Sequence, residues 1–196
     1  MQMNRKAVNT RIQPLILLTS FAPWRAHQKS NASDDLLEVV ANHPRRPQNM
    51  AFLRKLPVHF DLAPMWVMAE IFALRPDVVV CCGMAEARAL LTLEQFGRQR
   101  EGEKSSLRGH RRLQTGLNLP VLAHNLALTA ISRDAGNYVC NHLYYRLLES
   151  LPTALPHCQG LFVHVPRLHY RVRPWLLMDF LTVLERLEVL VGEGGG

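Results

Sequence analysis

Three side chains of this 196-residue chain have the types needed for a hydrolytic site. Cys140 follows the flexible pair Ala135-Gly136 and opens a stretch of helical periodicity, Asn137–Leu151. A helix N-terminus favours negative charge, which would lower the thiol pKa, and its N–H groups could hold an oxyanion. A free cysteine can equally be a small buried hydrophobe. His164 stands inside the apolar run GLFVHVP. Buried imidazole needs partners. A thiol on one nitrogen and a carboxylate on the other would complete a triad, whereas a backbone carbonyl would make it a core histidine. Glu94 interrupts the apolar run ALLTLEQF, either solvated at a strand edge or aimed into a cleft.

These residues need elements to position them. Pro14–Phe21 reads as a buried first strand, followed by a loop of about a dozen residues, a length that usually carries function. Ser33 is the expected cap of a helix over DDLLEVVAN, with Asp34 and Asp35 favourably placed in its first turn. MAFLRKLPV reads as a second strand and Leu62–Leu74 as a second helix. Asp77–Cys82 is a β-branched run of the kind found in central parallel strands, ending at Gly83. ARALLTLEQF is a further candidate strand, and residues 97–118 read as loop. Pro174–Val191 closes the chain as a helix. The alternation predicts a three-layer α/β/α fold with a mixed, mostly parallel sheet. Such folds place their sites at the carboxyl ends of strands. The expected organisation is an N-terminal extension (1–13), one α/β domain (14–191) and a Gly-rich tail (192–196).

Composition narrows the function classes. With 48% hydrophobic and 20% charged residues, the chain can build one sizeable core. Its apolar runs are too short to span a bilayer, and no secretory signal is recognisable. The four cysteines, Cys81, Cys82, Cys140 and Cys158, show no metal-ligand or disulfide spacing and point to a reducing compartment, the cytoplasm. The net charge of +7 owes much to Arg98, Arg100, Lys104, Arg108, Arg111 and Arg112. No aromatics are interleaved there to stack on bases, so a solvated loop is expected rather than a nucleic-acid contact.

Ordered motifs sharpen the reading. Ala135-Gly136-Asn137-Tyr138-Val139-Cys140-Asn141, Gly160-Leu161-Phe162-Val163-His164-Val165-Pro166, and Gly83-Met84-Ala85-Glu86-Ala87-Arg88 followed by Leu91-Thr92-Leu93-Glu94 resemble the signatures of the pyroglutamyl peptidase I (pyrrolidone-carboxylate peptidase) family of cysteine peptidases. Leu56-Pro57-Val58, Arg75-Pro76-Asp77 and Leu119-Pro120 match the family's order. The resemblance implies an omega peptidase that removes N-terminal pyroglutamyl residues through an acyl-enzyme. Cys140 would be the nucleophile, His164 the base and Glu94 the residue orienting it. It further implies that Phe21, Trp24, Tyr138 and Val139 line the substrate pocket, that Asn31 holds the recognition loop, and that the Met84 backbone bonds the lactam. The resemblance implies no metal or organic cofactor. The partner would be a peptide; self-association is left open.

The chain departs from the family at two places. The family's G-F-x-P-F-G-G loop reads Ser20-Phe21-Ala22-Pro23-Trp24-Arg25-Ala26, without its glycines. The segment after Glu94 (95–112) is shorter and basic, leaving Arg98 or Arg100 as candidates for the family's oxyanion-binding arginine. Asp134 replaces a usual serine and would oppose a thiolate if it faced it. These departures keep open a relative with shifted specificity or a non-catalytic binding role.

Overall fold

The computed structural model describes residues 13–100 and 112–193. The expected N-terminal extension, apart from its last residue, and most of the tail lie outside the described residues, as do Lys104, Arg108 and Arg111. Residues 192 and 193, expected in the tail, belong to the last helix.

The strands are β1 (Ile16–Phe21), β2 (Met50–Leu56), β3 (Val78–Met84), β4 (Leu91–Glu94), β5 (Phe96–Arg98), β6 (Arg112–Gln114), β7 (Thr129–Ser132) and β8 (Gln159–Val165). The helices are α1 (Ala32–Ala41), α2 (Leu62–Leu74), α3 (Leu119–Ala123), α4 (Val139–Ala154) and α5 (Arg173–Glu193). Six strands form one sheet in the order β2-β1-β3-β8-β4-β7, and β5 pairs with β6 in a separate ribbon. All neighbours in the main sheet are parallel except β4 and β8. The sheet is therefore mixed and mostly parallel, as the sequence led us to expect.

Strand alternation sends side chains to two cores. Ile16, Leu18, Val78, Val80 and Val163 pack with Leu36 and Val40 of α1 and Phe180 and Leu184 of α5. Leu17, Val79, Cys81 and Phe162 pack with Val67 and Ile71 of α2 and Leu143 and Leu147 of α4. These two cores make the three layers. They also explain why DVVVCC is continuously apolar: both of its faces are covered.

Three local readings change. Asn31, not Ser33, caps α1: its side chain accepts the Ser33 N–H at 3.0 Å. β3 does not stop at Gly83; it runs through to Met84 because β8 supplies register partners as far as Val165. The stretch read as loop over 97–118 contains part of β5 and all of β6, three residues each and too short to show a period.

Candidate active site

The sheet register brings the polar residues to one face. Gly83 and His164 are partners across β3 and β8, and His164 faces Thr92 across the antiparallel β8–β4 pair. Glu94 lies two residues beyond Thr92, hence on the same face. His164 Nδ1 lies 2.8 Å from Glu94 Oε1, and both residues are buried. A carboxylate only accepts, so Nδ1 carries the proton and Nε2 is left as the basic nitrogen.

Cys140 is the second residue of α4, whose first turn has no side-chain cap. Its Sγ reaches down onto the sheet at Gly83. A Cβ at that glycine would lie 2.8 Å from Sγ and 2.9 Å from the Phe162 ring. The absent side chain is what lets the thiol settle beside the strand pair that carries His164. Cys140 and His164 both line a cavity of about 400 Å³.

The charge balance differs from expectation. Burial pushes the Cys140 thiol up to about 12, with the Cys81 and Glu94 charges adding to the rise and the local backbone N–H and Arg88 opposing it. The helix N-terminus therefore does not win, because burial of the sulfur against the sheet at Gly83 outweighs it. Burial also lowers His164 below its ordinary 6.5, and the contact with Glu94 restores only part of this. Both shifts favour the uncharged forms, a thiol and an imidazole. Asp134 turns away from the thiol: its carboxylate accepts the Gly136 N–H at 3.1 Å and lies 3.5 Å from Arg98.

Arg88 has a place that sequence reasoning missed. It hydrogen-bonds Glu94 Oε1 and Thr92 Oγ1, and donates to the Asp134 carbonyl at 2.7 Å. It thus ties the carboxylate to the loop that precedes Cys140. The signal was available: a buried carboxylate demands a cation or several donors, and Arg88 ends the turn that leads into β4. Tyr144 Oη donates to the Glu94 carbonyl at 2.8 Å and fixes the end of that strand.

Around the cavity stand Phe21, Trp24, Asn31, Met84 and Tyr138, all expected there. Trp24 and Tyr138 pack at 5.2 Å between ring centroids. Asn31 donates to the Ala22 carbonyl at 3.2 Å and so braces the loop. Val139 is a correction: its side chain is 1% exposed and packs in the α2/α4 core, because the helical turn points it away from the cavity. Arg98 and Arg100 do not line this cavity. They border a neighbouring one, Arg98 bonding the Arg133 carbonyl and Arg100 stacking on Phe60 at 4.3 Å.

The loop manages without its expected glycines. Gln28 Oε1 accepts the N–H groups of Trp24 and Arg25 at 3.1 and 3.2 Å, folding a turn that needs no left-handed residue. Positive φ among described non-glycine residues falls at Lys55, Arg75 and Asn125, none in this loop. Glu86 bridges Arg25 at 3.6 Å and Arg167 at 2.9 Å and accepts from Gln28, joining the loop to the cavity rim.

Known proteins resemble this chain. A family model described as pyroglutamyl peptidase matches residues 120–173, which include Cys140 and His164. A pyrrolidone-carboxylate peptidase of Streptomyces coelicolor is 30% identical over 169 residues, covering 77% of each chain. The chain belongs to the pyroglutamyl peptidase family. A Photorhabdus laumondii relative named pyrrolidone-carboxylate peptidase 2 is 28% identical, with 92% of this chain and 91% of the relative covered. The crystal structure of Bacillus amyloliquefaciens pyroglutamyl peptidase I superposes with a TM-score of 0.78 at 21% identity, over 90% of this chain and 97% of that one. Membership in this cysteine-peptidase family and the α/β/α fold are thus as the motifs implied.

Proposed function

We propose that this protein removes N-terminal pyroglutamyl residues from peptides, with residues 14–191 acting as one catalytic unit. The carrying observation is the 2.8 Å contact of His164 Nδ1 with buried Glu94, with His164 and Cys140 on the wall of one cavity. In this reading, Sγ attacks the pyroglutamyl acyl carbon as His164 Nε2 takes its proton. The first-turn N–H groups of α4 hold the oxyanion. The imidazolium, steadied by Glu94, gives the proton to the leaving amine. Water then attacks the thioester carbon as His164 takes its proton; the C–S bond breaks, pyroglutamate leaves, and the imidazolium returns the proton to Sγ.

Neutral resting partners suit this scheme: proton transfer accompanies attack, and no preformed ion pair is required. Phe21, Trp24 and Tyr138 form apolar walls for a small ring, and the Met84 backbone is its hydrogen-bonding partner. No cofactor enters the reaction. No helix among the described residues is long and apolar enough to cross a membrane. The unpaired thiols favour a cytoplasmic setting.

A fluorogenic pyroglutamyl amide tests the reading. Turnover that disappears in Cys140→Ala is expected. A folded protein that leaves the pyroglutamyl amide intact but cleaves another aminoacyl amide would assign a shifted specificity, traceable to the rebuilt loop at Arg25 and Gln28.

A further inference from the structure

The cavity that holds Cys140 and His164 has a neighbour. A second cavity, of about 440 Å³, shares Asn137 and Tyr138 with it. Tyr138 is the ridge between the two. Trp24 packs on Tyr138 from the catalytic side at 5.2 Å, and Phe60 meets it edge-on from the other at 5.5 Å. Asn141 and His142 line the second cavity and follow Cys140 on the first turn of α4. The second cavity therefore begins within one helical turn of the nucleophile, about 5 Å along the axis.

The second cavity is basic. Among the described residues, its lining carries two guanidiniums, Arg98 and Arg100, and no carboxylate. Both come from the segment after Glu94 that departs from the family. The Asn141 side chain accepts the Arg98 N–H and donates to the Arg98 carbonyl, each at 2.8 Å, which pins the backbone where β5 ends. Arg98 lies 3.5 Å from Asp134, so its charge is partly offset. Arg100 lays its face on the Phe60 ring at 4.3 Å. That stacking leaves the edge donors of the guanidinium for an incoming carboxylate.

A peptide whose first ring sits against Phe21 and Trp24 must carry its remaining residues out of the catalytic cavity. One way runs past Glu86 and Arg167. There an anion would meet the carboxylates of Glu86 and Asp35, and Arg167 is already paired with Glu86 at 2.9 Å. The other way crosses Tyr138. We propose that the second cavity is the subsite for the residue following pyroglutamate, and that it selects an acidic side chain there. This rests on the function proposed above: with the acyl carbon at Sγ, the leaving amine lies beside the first turn of α4, and the next Cα is only about 3.8 Å further on. A carboxylate arriving at Arg100 accepts charge-assisted, bidentate hydrogen bonds that a neutral amide cannot match.

Two C-terminally amidated peptides test this, pyroglutamyl-glutamyl-alanine amide and pyroglutamyl-glutaminyl-alanine amide, which are nearly isosteric and differ in charge. Chromatographic release of pyroglutamate gives kcat/KM for each. The glutamyl peptide is expected to be favoured at least about fivefold at low salt. The advantage should shrink as salt rises from about 20 to 300 mM. Arg100→Gln is expected to bring the ratio to about 1, and Arg100→Glu to reverse it in favour of a lysyl peptide. Circular dichroism checks that each variant stays folded. Equal kcat/KM on the glutamyl and glutaminyl peptides overturns the subsite and leaves the peptidase reading standing. A glutamyl preference that survives Arg100→Glu also overturns it, and one abolished by Arg25→Gln instead would assign the acidic residue to the rim loop. Hydrolysis of none of these peptides would overturn the peptidase reading itself, and the subsite with it.

Discussion

The floor of the cavity and its rim are built by different physics. On the floor, Gly83, His164, Thr92 and Glu94 are held by strand register, and Cys140 is lowered onto them by α4. Moving any of them means breaking ladder hydrogen bonds or opening the core. On the rim, the loop carrying Trp24 and Arg25 is held by Gln28, Glu86 and Arg167, side chains in contact with solvent. Exposed ion pairs contribute little and are readily exchanged. On the function proposed above, the chemistry would be anchored in the fold, while specificity would sit on contacts that can be rebuilt without cost to the core.

Breaking the floor has the largest expected effect. Cys140→Ala and His164→Ala each lower kcat/KM by about 10³-fold or more in the pyroglutamyl amide assay, and the double variant is no worse than either single one, because the groups act as a unit. Gly83→Ala keeps every reactive group yet forces a methyl onto Sγ and the Phe162 ring. It is expected to cost about 1–3 kcal/mol of stability in urea unfolding and most of the activity. Glu94→Gln is expected to reduce kcat by about 10²–10⁴-fold with little change in KM, since the tautomer and orientation of His164 suffer but the cavity does not.

The rim should respond more gently and on a different parameter. Trp24→Ala removes one wall of the slot and is expected to raise KM about 10-fold, with kcat less affected. Glu86→Gln, which loosens the exposed bridge, should change KM by no more than about threefold. If Glu86→Gln lowered kcat as strongly as Glu94→Gln, the division between floor and rim would fail.

The buried floor should also show in pH dependence. His164 has a folded pKa below 6.5, so the unfolded chain takes up its proton first as pH falls. Stability contributed by this group is intact above 6.5 and declines between 6.5 and the lower folded value, which urea midpoints at pH 5 and 7.5 would register. The Cys140 thiol, at about 12 when folded against 9.0 when free, has the opposite slope: stability falls as pH rises from 9 towards 12. Alkylation of Cys140 by iodoacetamide should accordingly keep accelerating above pH 9 instead of levelling off near neutrality.

Much of this was legible before any coordinates. DVVVCC announced a central strand, and the Ala135-Gly136 turn before a helical period announced a helix start near Cys140. The glutamate breaking ALLTLEQF and the histidine inside GLFVHVP were each out of place in a core, which is why they drew attention. The antiparallel setting of β4 was not legible, because a four-residue strand carries no mark of its direction. Arg88 is legible from the carboxylate it serves: Glu94 needs a cation once β4 lies beside β8, and Arg88 stands in the turn that leads into β4. The thiol pKa was misjudged for a related reason: helix position is a local property, but the burial of Sγ comes from the sheet at Gly83. Val139 was misplaced because adjacency to Cys140 in sequence means divergence by 100° on a helix.

The most direct test of the central claim is the intact mass of the protein quenched during turnover of a pyroglutamyl ester. The expected result is one pyroglutamyl group attached at Cys140 in the native chain, and none in Cys140→Ala. Hydrolysis of the pyroglutamyl amide that persists in Cys140→Ala, or an acyl group found on another residue, would contradict it.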